Sequence, residues 1–92
     1  MRCATTAIAA LVPRQRSRVA GKVESVASFQ RPWVRTDAVL VDGTGALVLR
    51  FHGRAGVPGM AVGALVVAEG TSALERGVLI MRNPLYSFVS AG

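Results

Sequence analysis

The segment Ala38-Val39-Leu40-Val41-Asp42-Gly43-Thr44-Gly45-Ala46-Leu47-Val48-Leu49-Arg50-Phe51 decides how the rest of the chain reads. Two aliphatic runs flank Asp-Gly-Thr-Gly. Asp-Gly between hydrophobic runs marks a hairpin, because the turn needs positive φ and glycine takes it without steric cost. Gly45 adds a second permissive position, which suits a turn of four or five residues or one carrying a bulge. Beyond the turn the residues alternate. Leu47, Leu49 and Phe51 fall on one face, and Ala46, Val48, Arg50 and His52 on the other. The first set is the expected core face. The second carries a cation and an imidazole, Arg50 and His52, so it is the candidate face for a ligand.

Working outward, residues 34–41 and 46–52 are the second and third of five expected strands. The first covers residues 19–29, where Val19, Gly21 and Val23 alternate with Arg18, Ala20, Lys22 and Glu24. Gly21 is the expected place for a bulge or bend, and a curved first strand with an internal glycine suits a small closed barrel. Gln30-Arg31-Pro32-Trp33 breaks the pattern and forms the first loop. Residues 53–63 hold too much Gly and Pro for a regular helix and read as a crossover loop with room for one helical turn. Residues 64–69 are strand four, with Leu65 and Val67 as core contacts, and residues 71–77 are the next turn. Residues 78–81 and 86–89 make strand five, interrupted at Asn83-Pro84, where the missing proline donor requires a bulge or an edge. Phe29, Phe51 and Phe88 read as core, and Tyr86 as a residue that closes the barrel.

Composition narrows the class. The chain has 92 residues and 51% hydrophobic content, enough for one small packed domain. Eleven Lys+Arg against five Asp+Glu leave a net charge of +6, which points to a polyanionic partner, either nucleic acid or an anionic membrane surface. The single Cys3 has no partner for a disulfide or a zinc site, and a reducing cytoplasm is the expected compartment. Arg2 followed by residues 7–12 loosely mimics a signal peptide but lacks a convincing cleavage site. No stretch has the length needed to span a bilayer. Residues 1–13 are expected as an N-terminal arm or short helix ending at Pro13, and residues 14–90 as the domain.

Five short strands, with the longest connection between the third and fourth, give an all-β architecture. The layout is that of a five-stranded Greek-key OB-fold barrel, with an SH3-like barrel as the competitor. Four segments strengthen the first: Arg18-Val19-Ala20-Gly21-Lys22-Val23, Val41-Asp42-Gly43-Thr44-Gly45-Ala46-Leu47, Val57-Pro58-Gly59-Met60-Ala61-Val62-Gly63 and Met81-Arg82-Asn83-Pro84-Leu85-Tyr86. In that order they resemble the OB-fold nucleic-acid-binding family, over roughly residues 14–89. The family includes anticodon-binding domains of class II tRNA synthetases and the wedge domain of the RecG branched-DNA helicase. The Asn-Pro-x-Tyr end is most similar to the wedge domain, and small free-standing actinobacterial proteins of this type are similar in general character. Where anticodon-binding domains stack bases on aromatic residues of strands two and three, this chain has Asp37 and Arg50.

Alternation places Arg35, Asp37, Val39, Val48, Arg50 and His52 on the outer face of strands two and three, the usual oligonucleotide surface of an OB-fold. Guanidinium groups both pair with phosphate and stack on bases. Arg35 and Arg50 suit both roles, and Asp37 either orients one of them, accepts from a base amino group, or completes a cross-strand ion pair. Trp33 has two readings, a stacking platform or a lid on the barrel end. Arg18, Lys22, Arg31, Arg76 and Arg82 extend the cationic track, and His52 sits at its margin.

The expected function is binding of single-stranded or branched DNA, with RNA as a further candidate, through a basic groove with little sequence specificity. The alternative is a protein-interaction adapter or homo-oligomer, suggested by the apolar patch of Val39, Val41 and Val48. Membrane association through residues 1–18 stands behind both. One histidine, scattered carboxylates and no Lys-Ser/Thr ending to the Gly-rich loop leave neither a catalytic set nor a nucleotide-hydrolysis motif. No enzyme activity, cofactor or metal is therefore expected.

Overall fold

The computed structural model describes residues 4–89. Cys3 and residue 90, with the outer ends of both expected segments, lie outside that range. Strands β1 (Arg16–Phe29), β2 (Arg35–Val41), β3 (Ala46–His52), β4 (Leu65–Glu75), β5 (Val78–Arg82) and β6 (Leu85–Phe88) come after a single 3-10 turn at Ile8–Ala10. Five of them close into a ring in the order β1-β2-β3-β5-β4-β1. The β3–β5 pairing is parallel and the other pairings are antiparallel.

The hairpin at the centre of the sequence forms as expected. Leu47, Leu49 and Phe51 are buried against Ala38 and Leu40, with Val19, Val23, Val66, Ala68 and Met81 completing the core. At the turn Gly43 has φ 89°, and Asp42 organises the residues on either side of it. Its Oδ1 accepts from the amides of Thr44 (2.8 Å) and Gly45 (3.3 Å) and from the Thr44 hydroxyl (2.6 Å). Its Oδ2 accepts the Ile8 amide at 2.8 Å, tying the N-terminal arm to the turn. Ile8 and Leu11 are buried in the core, so residues 4–13 pack as part of the domain. Burying one such side chain contributes about 1.5–3 kcal/mol.

Strand β1 starts earlier than expected and departs from simple alternation. Its register with β2 slips between Val23 and Ser25, leaving Glu24 as the extra residue of a bulge. Gly21 serves a different purpose: a Cβ there would lie 2.5 Å from the Val41 carbonyl oxygen, closer than any side chain can approach. The bulge reverses the facing of every later residue in the strand. Val26 and Ser28 therefore turn inward, opposite Ala38 and Thr36, and Phe29 turns outward opposite Arg35. The expectation of Phe29 as core is corrected on this ground.

Three further expectations change. Strand β4 runs on to Glu75, and the turn is only Arg76-Gly77, with φ 50° and 80° as a tight hairpin requires. Val66, Ala68 and Ser72 are its core residues, whereas Leu65 and Val67 face outward. The run Ala64-Leu65-Val66-Val67-Ala68 is apolar in both phases, so alternation could not choose between them. Phe88 is 43% exposed, its ring lying over Gly59 and edge-on to Tyr86.

Asn83-Pro84 behaves as the proline requires. Partner numbers sum to 153 along β4–β5 (Ser72↔Met81) and to 154 along β4–β6 (Val66↔Phe88). Thus β5 and β6 are one strand along the same edge of β4, bulged by one residue. Residues 53–63 contain no helix; two turns, closed by Met60 N–H to Val57 (3.0 Å) and Ala64 N–H to Ala61 (2.9 Å), set Val57 and Met60 into the core. No helix among the described residues is long and apolar enough to cross a membrane.

Candidate functional site

Strands β2, β3 and β5 bring their outward residues into one surface. Asp37 lies directly opposite Arg50, Arg35 opposite His52, Val39 opposite Val48, and Arg82 beside Arg50. Asp37 and Arg50 form a two-pronged pair: Nε donates to Oδ1 at 3.0 Å and a terminal nitrogen donates to Oδ2 at 3.1 Å. Their side chains are only 14% and 17% exposed, so solvent screens the pair weakly. The hydrogen bonding from Asp37, partly opposed by burial, pushes the Arg50 pKa up. Asp37 thus forms a cross-strand ion pair with Arg50, and the same two bonds orient that guanidinium group.

Arg35 is held differently. Its guanidinium carbon sits 4.5 Å from the centre of the Phe29 ring, a cation–π contact made possible by the β1 bulge. Its Nε is 3.5 Å from Asp37 Oδ2 and makes no hydrogen bond among the described residues. Along the other margin Arg82 pairs with Glu75, and that hydrogen bond holds the Glu75 carboxyl below its usual range. Arg76, in the β4–β5 turn, is exposed and in no ion pair among the described residues.

These side chains enclose a groove of about 430 Å³ lined by Arg35, Arg50, Glu75, Arg76, Val78 and Ile80. Ile80 is 4% exposed yet stands outside the core cluster, because it is buried on the outer face. The surface is thus an apolar strip between cations. Around it, Arg35, Arg50, Arg76 and Arg82 outnumber Asp37 and Glu75.

Arg31 and Trp33 lie in the loop that leads into Arg35, after a cis Arg31–Pro32 peptide. Trp33 is 78% exposed, which removes the lid reading. His52 has an exposed side chain at the end of β3, where its amide donates to Asn83 Oδ1 at 2.9 Å. The Asn83 amide in turn donates to the Arg50 carbonyl at 2.7 Å, so Asn83 anchors the strand that carries Arg50. Sequence reading assigned Asn83 no such part. Its one signal was a polar residue before proline at a strand break.

Arg18 and Lys22 fall elsewhere. Both lie on β1 where it pairs with β4, and Glu69 accepts from Arg18 (2.9 Å) and Arg16 (3.1 Å). Those two contacts hold the Glu69 carboxyl below its usual range. A mostly apolar groove of about 550 Å³ on this side, between Lys22, Val41, Leu65 and Val89, has Lys22 as its one basic lining residue. The nine residues expected to bind therefore divide, with Arg31, Trp33, Arg35, Arg50, His52, Arg76 and Arg82 around the β2–β3–β5 face and its loops.

Among the described residues no three His, Cys, Asp or Glu side chains group as a metal site would need. The geometry defines an all-β protein with a five-stranded ring and one outer face that combines guanidinium groups with an apolar strip, and an exposed indole in the loop that leads into β2. Comparison with protein-family models, with curated proteins and with solved structures gives no match.

Proposed function

We propose that the chain is an OB-fold barrel that binds nucleic acid on its β2–β3–β5 face, preferring single-stranded or branched DNA to RNA and reading little sequence. The ring order, with β3 parallel to β5, is consistent with that fold. The observation that carries the reading is the gathering of Arg35, Arg50 and Arg76 around one shallow groove, close in sequence to an indole left in water.

The residues divide the work by how each is held. Arg76 and Arg31 are exposed cations suited to neutralise phosphates. Arg50, fixed by Asp37 in a planar two-pronged pair, offers its remaining donors from a set position. Arg35 is a flat group already stacked on Phe29, able to continue the stack with a base. Trp33 supplies a second aromatic platform. Val78, which is 47% exposed, gives the groove an apolar surface for base or sugar, with the buried Ile80 in its wall. In this reading the chain acts by binding, without catalysis, cofactor or metal.

Capture of this kind weakens with salt, because each neutralised phosphate releases condensed counterions. Three contacts on a single strand give a slope of about −2 in log affinity against log salt, or about fifteenfold between 50 and 200 mM. Titrating Trp33 fluorescence with single-stranded DNA, single-stranded RNA and a forked duplex at both salt concentrations tests this. Affinity for no oligonucleotide, or affinity indifferent to salt, refutes it. The adapter alternative draws its support from a different part of the molecule, the outer edge of β6, which pairs with no strand among the described residues.

A further inference from the structure

We infer that a second copy of this chain pairs with the outer edge of β6, antiparallel and centred on Ser87, to continue the β1–β4–β6 sheet across a two-fold axis. Nucleic-acid binding is not required for this pairing.

The backbone groups of β6 point in two directions. Val89 N–H donates to the Leu65 carbonyl at 2.9 Å, in the same register as Val67↔Ser87 and Glu69↔Leu85. Hydrogen-bonded pairs alternate along an antiparallel ladder, so Leu85, Ser87 and Val89 direct their N–H and C=O groups to β4. Tyr86 and Phe88 then direct theirs to the opposite side. Among the described residues no strand pairs with that side, and neither residue has another backbone partner there. Charge does not guard the edge, since residues 84–89 contain no charged side chain on a chain of net charge +6, and the protecting Pro84 and bulge stand only at its start.

The outward groups are self-complementary in one register. Opposing Tyr86 to Phe88 of a second copy uses both donors and both acceptors of each edge, four hydrogen bonds in all. Shifting the two-fold to Tyr86 opposes Phe88 to Pro84, which has no donor. The centred register has a second consequence on the outer face. It sets Leu85 of each copy, 65% exposed, opposite Val89 of the other, 47% exposed. At the axis, Ser87 meets Ser87, small enough for close approach. Charge permits the contact, since the nearest cations in the two rows, Arg18 and Lys22, each stand two strands away, and Arg18 is paired with Glu69. A stable dimer needs about 1,200 Å² of buried surface, and a short edge supplies only part of that, so the association is reversible and weak.

Sedimentation equilibrium of the full chain, from about 1 to about 300 μM, reads the association directly. The expected mass rises from 9.6 kDa toward twice that value. Ser87→Lys puts two like charges opposite each other at the axis and should keep the chain monomeric, with an unchanged melting temperature because Ser87 is exposed. Ser87→Cys, in a Cys3→Ser background, should give a disulfide-linked dimer on mild oxidation, because this register makes the two residues directly opposite. A wild-type chain that stays monomeric throughout overturns the inference. So does a dimer that Ser87→Lys leaves intact, or one that Ser87→Cys does not cross-link.

Discussion

Replacing Asp37 by Asn separates the two roles that its position allows. The carboxylate lies on the same face as the groove, where it neutralises the groove-lining Arg50 through bonds of 3.0 and 3.1 Å. If the face binds a polyanion, removing this charge should strengthen binding while weakening the fold. A unit charge about 6 Å from a phosphate in water is worth about 0.7 kcal/mol, or about threefold in affinity. Should the released guanidinium take up a phosphate of its own, the salt slope steepens by about 0.7 as well. The stability cost comes from a half-buried charged pair, between the value of an exposed ion pair and that of a buried charged hydrogen bond, so about 1–2 kcal/mol. For a domain of this size that lowers the melting temperature by about 5–15 °C. Anisotropy of a labelled single strand at 20 °C and three salt concentrations, beside a thermal melt, reads both effects. A folded Asp37→Asn variant with unchanged or reduced affinity and an unaltered slope would show that Arg50 serves the sheet alone and that any ligand lies elsewhere.

Other perturbations report on separate parts of the same design. Trp33→Ala should cost one stacked base, about 1–3 kcal/mol or five- to 150-fold in affinity, with stability changed by less than about 0.5 kcal/mol because the indole is exposed; equal loss of stability would place the ring in the fold instead. Asp42 is lowered from 3.8 to about 2, chiefly by the Thr44 hydroxyl and the Ile8 amide, so it contributes stability that is present above 3.8 and lost as pH falls through about 2. Solvent exposure limits that contribution to about 1 kcal/mol; Asp42→Asn should therefore melt lower than wild type at neutral pH, with the gap closing in acid, and a gap constant with pH would contradict the assignment. Gly21→Ala drives a methyl against the Val41 carbonyl and should destabilise by about 1–3 kcal/mol, read as a shift in denaturant midpoint; an unaffected midpoint would mean that β1 and β2 can separate there freely.

The parts of the fold that could be read in advance are those where local chemistry leaves one choice. Asp-Gly-Thr-Gly between aliphatic runs can close only one way, and β3 falls where alternation places it, at Ala46–His52. Pro84 cannot donate, so its covalent structure alone demands a bulge or an edge at that point, and the chain bulges there between β5 and β6. Strand β1 escaped the same logic because Glu24 carries no mark of a bulge. Nothing local distinguishes an extra residue from a paired one, and only the register with β2 exposes it. The error then propagated. One unpaired residue exchanged the two faces of β1 and moved Phe29 from the expected core to a place beneath Arg35.

The same distinction governs the candidate site. Alternation along β2 and β3 correctly collects Arg35, Asp37, Arg50 and His52 on one face, since that depends only on the two-residue period. It cannot say which charges remain available, because that depends on pairings between strands distant in sequence. Glu69 holds Arg16 and Arg18, Asp37 holds Arg50, and Glu75 holds Arg82, so each of these carboxylates occupies at least one guanidinium group. The formal excess of +6 is thus carried largely by cations that no strand partner claims, among them Lys22, Arg31 and Arg76. Lys22 faces away from the groove. What a polyanion would meet on the β2–β3–β5 face is therefore set less by the number of arginines there than by which of them the sheet itself has already used.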